Sequence, residues 1–201
     1  MNVHETRDSS APWWNIANVI TMARIAMVPF FLAALLIPDG VVWRLVALVI
    51  FLVAAITDRL DGYLARSRGL VTNLGKILDP IADKVLTGGA LVALSWLGEL
   101  PWWVTVVILG REFAITMMRF IVIRIAVLPA SRGGKLKTVT QIVAISLWLL
   151  PLTSLPGFVT VVAWIAMGGA VVVTVVTGVE YLVHGVRVAR NGRGPEGGDR
   201  S

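Results

Sequence analysis

Six apolar segments, each near the length needed to cross a bilayer, constrain this chain more than any other feature: residues 16–37, 42–66, 79–98, 102–127, 138–154 and 158–185. A helix needs about 20 mostly apolar residues to span the hydrocarbon core. The breaks carry turn chemistry: Pro38-Asp39-Gly40, then Gly69 to Gly75, Gly98-Glu99-Leu100-Pro101, Pro129 to Gly134, and Ser154-Leu155-Pro156-Gly157. No segment alternates apolar and polar residues with period two, which argues against a β-barrel. The expected fold is all-α, a polytopic membrane protein with six transmembrane helices. Composition agrees, since 57% of residues are hydrophobic and 15% charged, against about 45–50% and 25% in soluble domains. There is no cysteine, so neither disulfides nor thiolate metal sites enter the argument.

Lys and Arg set the orientation. One set of breaks carries Arg66, Arg68, Lys76 and Lys84, then Arg132, Lys135 and Lys137, and the C-terminal tail adds Arg187, Arg190, Arg193 and Arg200. The opposite set carries only Arg44. Six spans then place both termini in the cytoplasm, in an inner or plasma membrane. Residues 1–14 read as an interfacial segment, 15–187 as one six-helix domain, and 188–201 as a disordered cytoplasmic tail. Glu5 and Asp8 beside Arg7 do not make the basic start of a signal peptide. The net charge of +6, in so apolar a chain, points to anionic lipid or phosphate-bearing substrates rather than nucleic acid.

Four carboxylates interrupt the second and third segments: Asp58, Asp61, Asp79 and Asp83. A charge at the bilayer centre costs at least about 2.5–3.5 kcal/mol, so acids in spans call for a reason. On a helix, Asp58, Asp61, Gly62 and Ala65 fall within an arc of about 100°, and Asp79 and Asp83 are i,i+4 neighbours. A short connection folding these helices antiparallel would bring both pairs to one pocket at the cytoplasmic surface. All-oxygen ligands without His or Cys suit Mg²⁺ or Mn²⁺, and Gly62, Ala65 and Gly75 leave room for a ligand near backbone. The simpler reading pairs the acids with Arg59, Arg66, Lys76 and Lys84. It explains any one Asp better than it explains four at these spacings.

The full string is Asp58-Arg-Leu-Asp61-Gly62-Tyr-Leu-Ala65-Arg66, eight residues, then Gly75-Lys-Ile-Leu-Asp79-Pro-Ile-Ala-Asp83. It resembles the signature of the CDP-alcohol phosphotransferases, D-x-x-D-G-x-x-A-R-x₈-G-x-x-x-D-x-x-x-D, with every fixed position present. The resemblance implies a six-helix membrane enzyme, a homodimer, that moves a phosphatidyl or similar group from a CDP-linked donor to an alcohol and releases CMP. It further implies that Asp58, Asp61, Asp79 and, in part, Asp83 hold one or two divalent cations on the donor diphosphate. Asp83 matches the general base, and Asp58, Gly62, Ala65, Arg66 and Gly75 match positions around the nucleotide.

The remaining charges bear on the acceptor. The fourth segment holds Arg111, Glu112, Arg119 and Arg124, and the next break Arg132, Lys135 and Lys137. Such a group beside a membrane pocket suits a phosphate on the acceptor, although Arg124, Arg132 and Lys137 also fit ordinary positive-inside flanks. Glu112 and Arg119 lie about 20° apart around a helix, which suggests a pair despite the rise between them. Asn15-Ile-Ala-Asn18-Val-Ile-Thr21-Met-Ala-Arg24, Gly110-Arg111-Glu112 with Arg119, and Gly134-Lys135-Leu-Lys137-Thr138-Val-Thr-Gln141 resemble landmarks of one bacterial branch of the family, the phosphatidylglycerophosphate synthases. One departure is Ala17, where that branch commonly has proline. This narrower resemblance implies CDP-diacylglycerol as donor and sn-glycerol 3-phosphate as acceptor, with Thr21, Arg111, Arg119, Lys135 and Lys137 contacting the acceptor phosphate. Inositol phosphate is the rival acceptor, and a cation transporter built on the Asp cluster is the rival outside enzymology. His4 and His184 read as solvated or interfacial, the eight Trp as mostly interfacial, and Gly168-Gly169 as a site of close helix packing.

Overall fold

The computed structural model describes the backbone of residues 16–38, 40–67, 73–122 and 132–191, and the side chains of these outside 16–18, 58–67, 73–81, 83, 119–122, 132–135 and 184–191. Among the described residues every regular element is helical: α1 (Ile16–Leu36), α2 (Val41–Ser67), α3 (Asn73–Trp96), α4 (Trp102–Val122), α5 (Arg132–Trp148) and α6 (Gly157–Asn191), with a single 3₁₀ turn at Leu152–Ser154. The all-α expectation is met, with one helix for each apolar segment.

Helices α3 and α5 each start six residues before the apolar run that predicted them, at Asn73 rather than 79 and at Arg132 rather than 138. Hydropathy is blind to Lys76, Arg132, Lys135 and Lys137 as helix formers, yet Lys and Arg rank close to Ala in propensity. For the same reason α6 continues through Arg187 and Arg190 to Asn191. Its 35 residues make a helix of about 52 Å, longer than any hydrocarbon core.

Among the described residues two stretches are both long and apolar enough to cross a membrane, Val19–Leu36 and Gly157–Val183, with shorter apolar stretches at Val41–Thr57, Lys84–Trp96 and Leu136–Trp148. Large apolar side chains are exposed along the helices, among them Phe30, Val42, Ile165 and Val172. Water would not tolerate such a surface, and lipid would.

The chain forms two compact units. In the first, α1 and α2 pack as a hairpin. Val28, Phe31, Ala34 and Leu35 of α1 and Ala47, Phe51, Ala54 and Ala55 of α2 are buried, and the Phe31 and Phe51 rings meet at 5.8 Å. The alanines bring the backbones close, as small residues do in membrane bundles. The N-terminal part of α3 belongs here, with Gly89 against Leu32.

The second unit contains the end of α3 and helices α4, α5 and α6. Gly98 closes α3 with φ +74°, a left-handed conformation that costs other L-residues about 1–2 kcal/mol. Its N–H donates to the Ser95 carbonyl (3.1 Å) and the Glu99 N–H to the Leu94 carbonyl (3.1 Å), the paired bonds of a Schellman cap. A buried bond between the Ser95 and Thr105 hydroxyls (2.7 Å) then joins the end of α3 to α4. Helices α5 and α6 run antiparallel, and α4 packs on α6. Trp148 Nε1–H donates to the Ala163 carbonyl (3.1 Å) and its ring meets Trp164 edge-on at 5.0 Å. This pair fixes the α5–α6 register, so that Lys137, eleven residues before Trp148, stands level with Thr174, eleven after Ala163. Gly168 and Gly169 are exposed, and a Cβ at either would meet nothing within 4 Å. The close packing expected of them is therefore not made within the second unit.

Candidate functional site

The acidic motif occupies the C-terminal end of α2 and the N-terminal end of α3. Asp58, Asp61, Gly62, Ala65 and Arg66 lie in the last three turns of α2, and Gly75, Asp79 and Asp83 in the first three turns of α3. Helical backbone through both stretches gives Asp58 and Asp61 one face of α2, and Asp79 and Asp83 one face of α3. The side chains of these eight residues lie outside the described set. Between the two acids of α3, Ala82 is fully buried, so the adjoining face of that helix turns inward.

Thr21 and Arg24, one turn apart on α1, are both buried, with Arg24 only 2% exposed. Thr21 was expected at the acceptor site. Arg24 was read merely as part of a landmark, although an arginine within an apolar span was itself a signal of a built polar site.

The basic group in the second unit is organised around Glu112. Its Oε1 receives Arg111 Nη1 at 3.4 Å and Lys137 Nζ, so two cations from α4 and α5 share one carboxylate oxygen. The side chains of Arg111, Glu112 and Lys137 are 12%, 19% and 10% exposed, a setting in which ion pairs are stronger than on a surface. Arg111 also reaches α6, where Nε–H donates to the Thr174 carbonyl (3.1 Å) and Nη2–H to the Thr177 hydroxyl oxygen (2.9 Å). Thr177 in turn donates to the Val173 carbonyl (2.7 Å). Gln141, one turn beyond Lys137, is buried. Glu112 therefore pairs with Arg111 and Lys137. The expected partner, Arg119, has its backbone on α4, and its side chain, like that of Lys135, lies outside the described residues.

Thr174, Thr177 and Gly178 were not expected at a functional site. Threonine and glycine are common in membrane helices, and only the fold shows that an arginine lies on them.

The fold and the acidic string define a helical, apolar protein with four carboxylates on two consecutive helices, and comparison with known proteins gives its family. Residues 14–176 match the CDP-alcohol phosphatidyltransferase family, and the chain belongs to that family. Among its relatives, a protein of Mycobacterium tuberculosis named "Probable phosphatidylglycerophosphate synthase" is 52% identical over 175 residues, covering 86% of this chain and 82% of its own length. A Bacillus subtilis CDP-diacylglycerol–glycerol-3-phosphate 3-phosphatidyltransferase is 40% identical over 185 residues, covering 84% and 93%. A Streptomyces coelicolor cardiolipin synthase (CMP-forming) is 34% identical over 201 residues, covering 94% and 91%.

Proposed function

We propose that this chain transfers the phosphatidyl group of CDP-diacylglycerol to sn-glycerol 3-phosphate, giving phosphatidylglycerophosphate and CMP, at the cytoplasmic face of a bacterial cell membrane and as a homodimer. The observation that carries the reading is the complete acidic motif on α2 and α3 in a chain whose relatives at 40–52% identity bear that activity in their names. Membership of the family favours an enzyme over the ion-transporter alternative.

The acids fit a divalent cation by the chemistry of the donor set, four carboxylates with no nitrogen or sulfur ligand among the fixed motif positions. Asp58, Asp61, Asp79 and in part Asp83 would hold Mg²⁺ or Mn²⁺. When bound, the cation neutralises charge on the donor diphosphate and on departing CMP. Gly62, Ala65, Arg66 and Gly75 admit and orient the cytidine nucleotide. Thr21, Arg111, Arg119, Lys135 and Lys137 bind the acceptor phosphate. Asp83 takes the proton of the acceptor hydroxyl. The hydroxyl oxygen forms a bond to the phosphorus carrying diacylglycerol, and the bond from that phosphorus to the CMP oxygen breaks, with CMP leaving as the anion. Most of the rate then comes from placing two charged substrates correctly.

An acceptor panel tests the reading. Purified protein with CDP-diacylglycerol and Mg²⁺ or Mn²⁺ should release CMP with glycerol 3-phosphate. Inositol phosphate and free glycerol should be poor acceptors, glycerol because it leaves the basic group without its anion. Preference for inositol phosphate in a mixed assay would assign the chain to a different branch of the family.

A further inference from the structure

The contacts that Arg111 and Lys137 make within the second unit assign a function to residues no motif marks. We infer that α6 and Glu112 form a positioning seat for the acceptor phosphate: Thr174, Thr177 and Gly178 fix the Arg111 guanidinium, and Glu112 holds Lys137 beside it. This rests on the reading of Arg111 and Lys137 as acceptor contacts.

Arginine and lysine lose much rotamer freedom when they are fixed. A site that fixes them beforehand spares the substrate that cost, and affinity gained in this way is preorganisation. Each feature of the seat serves that end. The Thr177 hydroxyl points its proton at the Val173 carbonyl (2.7 Å), which turns a lone pair toward Arg111 Nη2 (2.9 Å). The Thr174 carbonyl takes Nε–H at 3.1 Å, so the guanidinium plane is fixed from two directions. Gly178 lets the stem of Arg111 lie against the helix. A Cβ there would stand 2.9 Å from Arg111 Cγ and 3.1 Å from Nε. Cγ lies near the root of the side chain, so the clash cannot be relieved by moving the far end alone. Glu112 completes the arrangement. Two cations brought to one place repel each other, and the shared Oε1 offsets that repulsion. The trio keeps one net positive charge, the sign that attracts a phosphate monoester.

The test uses the full chain in detergent or lipid, first measuring turnover of the parent with glycerol 3-phosphate and then Gly178→Ala, Thr177→Val, Thr177→Ser and Glu112→Gln. Loss of a hydrogen bond to a charged group, or its displacement, should raise the KM for glycerol 3-phosphate about tenfold in Gly178→Ala, Thr177→Val and Glu112→Gln. The KM for CDP-diacylglycerol should stay within about twofold, and Thr177→Ser, which keeps the hydroxyl, should restore the parent value. An unchanged acceptor KM in Gly178→Ala and Thr177→Val, with parental thermal unfolding, would overturn the inference. So would a parallel loss in both substrates that Thr177→Ser does not rescue, which would mark a purely structural role. A lowered acceptor KM in Glu112→Gln would do the same, since it would make Glu112 a competitor of the phosphate. Failure of the parent to use glycerol 3-phosphate refutes the acceptor reading itself, and the seat falls with it.

Discussion

Asp83 and Lys135 sit on different helices and are assigned opposite tasks, one to remove a proton and one to hold an anion. Asp83→Asn keeps the shape of the side chain and removes its ability to take a proton. It should lower kcat by about 10²–10⁴-fold, with further loss if a metal ligand goes with it, while CDP-diacylglycerol binding to the folded protein persists. A rate within a few-fold of the parent would exclude Asp83 as base. Lys135→Ala removes one charge-assisted contact and should raise the KM for glycerol 3-phosphate roughly ten- to a hundredfold with little change for the donor. A rise in the donor KM instead would place Lys135 on the nucleotide. At this scale the acidic string was legible because its spacing is short and fixed, and the family match agrees with it. The pairing of Glu112 with Lys137 was not. Helical periodicity compares residues on one helix, so it offered Arg119, whereas Lys137 arrives from another helix through the α5–α6 register set by Trp148 and Ala163.

The helices themselves were legible from hydropathy, but the starts of α3 and α5 and the end of α6 were not, since apolar runs stop short of the lysines and arginines that extend them. Turn chemistry was more reliable than hydropathy at the other ends. Gly98, read as a break, is the left-handed residue of the α3 cap. Gly98→Ala should destabilise the fold by about 1–2 kcal/mol and lower the midpoint of thermal unfolding in detergent. The acceptor and donor KM values should stay near those of the parent, since Gly98 is exposed and carries no proposed substrate contact. An unchanged midpoint would mean that the cap tolerates a side chain. Trp148→Phe removes the bond to Ala163 and should cost about 1 kcal/mol. It should also weaken acceptor binding more than Gly98→Ala does, because it loosens the register that brings Lys137 level with Thr174.

Across the whole molecule, an apolar exposed surface with charged residues toward helix ends suits the proposed transfer, which joins a donor anchored by acyl chains to a water-soluble acceptor. On the proposed mechanism the carboxylates act through a bound divalent cation. Exhaustive chelation should abolish CMP release, and Mg²⁺ or Mn²⁺ should restore it; full turnover in the chelated protein would remove the metal from the mechanism. The family was legible in the sequence because eight spaced residues specify it, whereas the acceptor depends on side chains gathered from several helices. The central claim is the transfer itself. Purified protein in mixed micelles, given CDP-diacylglycerol, a divalent cation and glycerol 3-phosphate labelled in the glycerol, should move label into the lipid phase with one CMP released per labelled lipid. Release of CMP without label in lipid, or labelled lipid formed without CDP-diacylglycerol, would contradict it.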